Sequence, residues 1–137
     1  MTLAEFEAHV AATERTTDGR LGGIDYCLMK LCAEAGEVAQ LRAREILDGA
    51  VLPPVDSDLV LSRRARFALE LGDVLWYLVE ACRLLGVTPE QVMYLNYQKL
   101  KSRRVGGNDY TTRKDPPAEQ RAAEAYLSAY ELMKEED

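Results

Sequence analysis

Two stretches decide the fold of this chain: LMKLCAEAGEV (residues 28–38) and ELGDVLWYL (residues 70–78). In the first, Leu28, Leu31, Ala35 and Val38 recur at helical spacing, and Glu34 and Glu37 stand three apart. In the second, Leu71, Leu75 and Leu78 recur in the same way, with Glu70 and Asp73 three apart. Residues three apart share one face of a helix. Both acidic pairs flank an apolar stripe, where an ionised carboxylate is costly to bury unless a positive charge compensates it. A divalent cation is the compensator this pattern asks for. Hard cations such as Mg²⁺ take oxygen ligands and keep several waters, which leaves positions for substrate phosphates. His9 is the single histidine, and a histidine-poor acidic site points to Mg²⁺ or Mn²⁺ over zinc or iron.

Outward from these stretches the chain divides into helices. Thr2 with Glu5 forms a capping-box opening, and Leu3, Phe6 and Val10 share a face, so a first helix is expected to about Arg15. Asp18, Gly19, Gly22 and Gly23 break it. A long second helix runs from Ile24 to about Asp48, with Gly49 at its stop. After the Pro53-Pro54 loop, Asp56, Ser57 or Asp58 caps a third. Its buried stripe is expected to be Leu61, Phe67, Leu71, Leu75, Leu78, Cys82 and Leu85, with Gly86 ending it. Thr88-Pro89-Glu90-Gln91 is a strong start signal for a fourth helix to about Arg104. The polar stretch Val105 to Pro117 reads as a loop, and Asp115 with Pro116 opens a last helix whose apolar face carries Ala122, Ala125, Tyr126, Ala129, Tyr130 and Met133. No segment alternates like a strand. The expected fold class is all-α, a bundle of four to five helices forming one domain over residues 1–137.

Composition narrows the function. The chain has 137 residues, 47% of them hydrophobic, enough for one sizeable core. A net charge of −6, with basic residues scattered among acids, disfavours nucleic acid as a partner. Met1 to Glu14 lacks a basic start and an apolar signal core, and no apolar run is long enough for a bilayer, so a cytoplasmic protein without membrane contact is expected. Cys27, Cys32 and Cys82 form no CxxC pair and read as buried free thiols.

The acids also have an ordinary explanation. Lys30 precedes Glu34 by four residues and Arg66 precedes Glu70 by four, so surface ion pairs account for two of them. Two such motifs on consecutive helices are less ordinary. Gly36 and Gly72 lie inside them, each costing about 1 kcal/mol relative to alanine in mid-helix, and close approach of the two helices is one reason to tolerate that. Trp76, Tyr77, Tyr94, Tyr97 and Tyr26 are read mainly as core or interface rather than base-stacking residues, and His9 as a surface or packing residue.

The two acidic runs, together with Asn96-Tyr97-Gln98-Lys99-Leu100-Lys101-Ser102-Arg103, resemble the motifs of MazG-like nucleoside triphosphate pyrophosphohydrolases. The resemblance covers roughly residues 24–107. It implies Mg²⁺-dependent cleavage of a nucleoside triphosphate between the α and β phosphates, releasing a nucleoside monophosphate and pyrophosphate. Glu34, Glu37, Glu70 and Asp73 are then the expected metal ligands, with Glu34 and Glu37 the catalytic acids and Glu34 the carboxylate that takes the proton from water. Lys99 and Arg103 are expected to meet phosphate oxygens, Asn96 a sugar hydroxyl or base edge, and Lys30 a phosphate. A homodimer or homotetramer is implied, with helices of two subunits completing each site. The chain departs from the pattern at Ala33, where many relatives carry another acid, and in the length of the stretch from Val38 to Leu69. Alternatives are a phosphoribosyl-ATP pyrophosphohydrolase using the same acids, and a non-catalytic helical oligomerisation or regulatory module. A di-iron bundle expects Glu-x-x-His motifs, which are absent.

Overall fold

Local sequence chemistry sets the helix ends. In the computed structural model, which describes residues 1–13, 23–47, 58–104 and 116–134, α1 spans Leu3–Thr13, α2 Ile24–Leu47, α3 Asp58–Leu84, α4 Pro89–Arg104 and α5 Pro116–Lys134. The described residues are all-α, with no strand among them. The side chains of residues 58–60, 102–104, 116 and 131–134 are outside the description, as are the expected breaks and loops at 14–22, 48–57 and 105–115.

Both capping boxes form. At α1 the Thr2 amide donates to Glu5 Oε2 at 2.6 Å, and the Glu5 amide donates to Thr2 Oγ1 at 3.2 Å. At α4 the Thr88 amide donates to Gln91 Oε1 at 2.7 Å, and the Gln91 amide returns the bond to Thr88 Oγ1 at 3.2 Å. Each box satisfies two amides that helix geometry leaves without partners, which stabilises the start by about 1 kcal/mol. Gly86 ends α3 at φ +70°, a backbone conformation that glycine adopts without steric cost.

The chain divides into two units, Met1–Gly86 and Val87–Asp137. In the first, α2 and α3 pack as a hairpin and α1 packs on α3. The hairpin is antiparallel: contacts advance from Cys27 with Tyr77, through Glu34 with Glu70, to Glu45 with Arg63. Its buried apolar residues, with those of α1, are Val10, Cys27, Val79, Ala81 and Cys82. In the second unit α4 packs on α5, with Tyr94 and Tyr126 stacked at 4.6 Å between ring centres.

The expected buried stripe of α3 is corrected by the structure. Cys82 is buried and Phe67 half-buried, but Leu61, Leu71, Leu75, Leu78 and Leu85 are exposed, Leu71 by 53%. A helical stripe records that these residues share a side, not which element covers it. Leu28, Ala35 and Ile46 of the α2 stripe are likewise exposed, and so are Ala122, Ala125 and Ala129 of α5. Cys32 is exposed, unlike the two buried thiols. The glycines do not mark a close helix approach either: a Cβ added at Gly36 or Gly72 meets nothing within 4 Å.

The exposed leucines have a common direction. Measured from Glu34 on α2 and Glu70 on α3, Leu28 and Ala35, and Leu71, Leu75 and Leu78, turn in the same rotational sense by about 80–140°. In an antiparallel pair the same sense leads to the same side. The hairpin therefore has an apolar side and, opposite it, a side bearing Lys30, Glu37, Arg66 and Asp73.

Candidate metal centre

The acids meet where α2 and α3 cross level with one another. One carboxylate oxygen each from Glu34, Glu70 and Asp73 lies within 4.8 Å of the other two. Glu34 is 8% exposed, Glu70 is half-buried and Asp73 is exposed, so the cluster opens to solvent on the α3 side. Glu37 stays outside this group, exposed one turn further along α2.

Among the described residues the cluster has one resident cation. Lys30 Nζ lies 2.6 Å from Glu34 Oε1 and 5.5 Å from the centre of the Tyr77 ring. The ion pair read as the ordinary alternative thus forms at Glu34. It does not form at Glu70: Arg66 is exposed and makes no ion pair or hydrogen bond among the described residues. The hydrogen bond to Glu34 holds the Lys30 ammonium above the ordinary lysine value, and burial raises the Tyr77 hydroxyl against the opposing pull of the Lys30 charge. Both keep their protons at neutral pH. Tyr77 is also anchored through its backbone, whose carbonyl accepts from the Cys27 thiol at 3.3 Å. Lys30 is therefore held between a carboxylate on its own helix and an aromatic face on the next.

Three carboxylates against one ammonium leave an excess of negative charge in a partly buried place, the arrangement a divalent cation would relieve. The donor set is all oxygen, which suits Mg²⁺ or Mn²⁺. Oxygens on one octahedral Mg²⁺ lie about 3 Å apart when adjacent and about 4.2 Å when opposite, so the carboxylates would draw together by side-chain rotation to close around an ion.

Among the residues expected to meet substrate, Asn96 is exposed and Lys99 half-buried, three apart on α4 of the second unit. The Arg103 side chain lies outside those described. Sequence reasoning missed Glu80. It is fully buried, and Arg83 donates to both its oxygens, Nε to Oε2 at 2.8 Å and Nη2 to Oε1 at 2.7 Å. An acid inside the apolar run VLWYLVEACRLL with an arginine three residues on was the available signal.

A Gene 37 protein of Mycobacterium phage L5 is 37% identical to this chain over 87 residues, 62% of this chain and 69% of that protein. The chain belongs to the family of that phage protein. No protein-family model matches the chain, and no solved structure matches it.

Proposed function

We propose that this member of the phage family is a MazG-like nucleoside triphosphate pyrophosphohydrolase, dependent on Mg²⁺ or Mn²⁺ and cleaving between the α and β phosphates. The observation that carries the reading is the convergence of Glu34, Glu70 and Asp73 from two helices, with more negative charge than Lys30 compensates. An ion-paired surface alone would have left Glu70 with Arg66. The third motif supports the same reading through Asn96, Lys99 and Arg103 on α4.

In this reading Glu34, Glu70 and Asp73 hold the metal, and Glu37 joins them by turning its long, exposed side chain inward. Mg²⁺ bound there would neutralise phosphate charge and make a water more acidic. Glu34, the most buried carboxylate of the three, takes the proton from the attacking water, and Tyr77 keeps Lys30 beside it. Lys30 supplies positive charge to phosphate oxygens.

Incubation with each common NTP and dNTP plus Mg²⁺, with products separated, tests the proposal. A nucleoside monophosphate and pyrophosphate are expected; orthophosphate as the sole product would count against it. Adding phosphoribosyl-ATP to the panel separates the histidine-pathway type of activity. The proposal includes a homodimer or homotetramer, in which a second copy covers the apolar side of the α2–α3 hairpin, since contiguous exposed apolar surface of this kind marks an interaction site. Light scattering on the protein in solution should return at least twice the chain mass of 15.3 kDa, and a strictly monomeric result would remove this part of the reading.

A further inference from the structure

The basic residues of the α2–α3 hairpin are mostly engaged. Lys30 pairs with Glu34, Arg42 and Arg63 with Glu45, and Arg83 with Glu80. Arg44, Arg64 and Arg66 make no ion pair or hydrogen bond among the described residues, and of these Arg66 stands on the acid-bearing side one turn before Glu70.

The antiparallel geometry locates Arg66 further. Lys30 lies four residues before Glu34 on α2, and Arg66 lies four before Glu70 on α3. The helices run in opposite directions, so these two steps lead away from the cluster toward opposite ends. At 1.5 Å per residue each step is about 6 Å, and both cations turn by about 40° in the same sense. Lys30 and Arg66 therefore bracket the carboxylates along one side, about 12 Å apart along the hairpin. They differ in state. Lys30 is committed to Glu34 and the Tyr77 ring, whereas Arg66 has its planar fork of donors open, and that fork matches a phosphate's oxygens in two parallel hydrogen bonds.

We propose that Arg66 is a substrate-binding residue, which receives the polyphosphate chain of the nucleotide at the end of the site away from Lys30. This rests on reading the acid cluster as the metal centre of a nucleotide-cleaving enzyme. Arg66 adds an attraction for phosphate without drawing any carboxylate away from the metal.

The test uses the full chain and Arg66→Gln, with Arg66→Lys and Arg64→Gln for comparison; Arg64 is also exposed but turns toward the apolar side. The probes are Mn²⁺, followed by its paramagnetic resonance signal, and inorganic tripolyphosphate, titrated calorimetrically with Mn²⁺ present. Arg66→Gln is expected to bind Mn²⁺ as well as the natural chain or better, because a positive charge beside the carboxylates is gone. Its tripolyphosphate affinity should fall about tenfold or more, with Arg66→Lys in between and Arg64→Gln unchanged. Where the nucleotide panel yields a substrate, the loss should fall mainly on KM. Unaltered tripolyphosphate binding by Arg66→Gln overturns the assignment while leaving the metal centre standing. So does equal weakening by Arg64→Gln, or loss of Mn²⁺ binding in Arg66→Gln. If the natural chain binds neither Mn²⁺ nor tripolyphosphate, the metal-centre reading and this assignment fall together.

Discussion

Glu34→Gln is expected to reduce Mg²⁺-dependent pyrophosphate release by about 10²–10³-fold or more, while far-ultraviolet circular dichroism shows the helices intact. Glu34 is the carboxylate the three-acid group is built around: it is the most buried, and it alone is paired with Lys30. Glutamine keeps the volume but removes the charge that would bind a cation and the basicity that would accept a proton, and removing one electrostatic element of such a site has effects of this size. The stability change should be small, about 1 kcal/mol, since one charge-assisted hydrogen bond to a partly exposed lysine is weakened. Glu37→Gln should cost less activity than Glu34→Gln, because its carboxylate stands outside the converged group. Pyrophosphate release that survives Glu34→Gln within about threefold would mean that the convergence of these acids is not the catalytic centre.

The largest effect on stability is expected at the other end of α3. Arg83→Met removes both hydrogen bonds that Arg83 donates to Glu80, whose side chain is fully buried. Breaking a buried pair from one side leaves an uncompensated charge and typically costs about 3–5 kcal/mol. Arg83 is itself 40% exposed and Glu80 has a further interaction, so the expected loss is about 3 kcal/mol, at the low end of that range. Urea unfolding followed by circular dichroism measures it. Adding Glu80→Leu to Arg83→Met should recover a large part of the loss, because two apolar side chains need no partners. A double variant no more stable than Arg83→Met would show that the glutamate's further interaction, and not its pairing with Arg83, holds this end of the hairpin.

The two predictions concern the group that Glu34 forms with Glu70 and Asp73, and the Glu80–Arg83 pair; Asp73 and Glu80 stand seven residues apart on α3 with contrasting surroundings. At Asp73 the neighbouring oxygens belong to other acids and the carboxylate is exposed; at Glu80 a guanidinium occupies both oxygens and the group is sealed. Spacing puts Glu70, Asp73, Tyr77 and Glu80 along one side of α3. Only the first two meet an acid of α2, because the antiparallel register brings Glu34 level with Glu70 and leaves Glu80 beyond the point where Cys27 reaches Tyr77.

What the sequence alone determined is what depends on near neighbours in the chain. The Thr2 and Thr88 capping boxes and the Gly86 stop are local hydrogen-bond and backbone effects, so the all-α class and the described helix ends were legible to within a few residues. The i, i+3 spacing likewise made the two acidic pairs legible as shared helix faces. Tertiary structure decided what covers each face. It left Leu71, Leu75 and Leu78 exposed, gave Lys30 the Tyr77 ring, left Arg66 without a partner among the described residues and sealed Glu80 against Arg83. The physical reason is that helical periodicity orders directions around one axis, whereas burial and charge compensation depend on the register and rotation at which a second helix arrives.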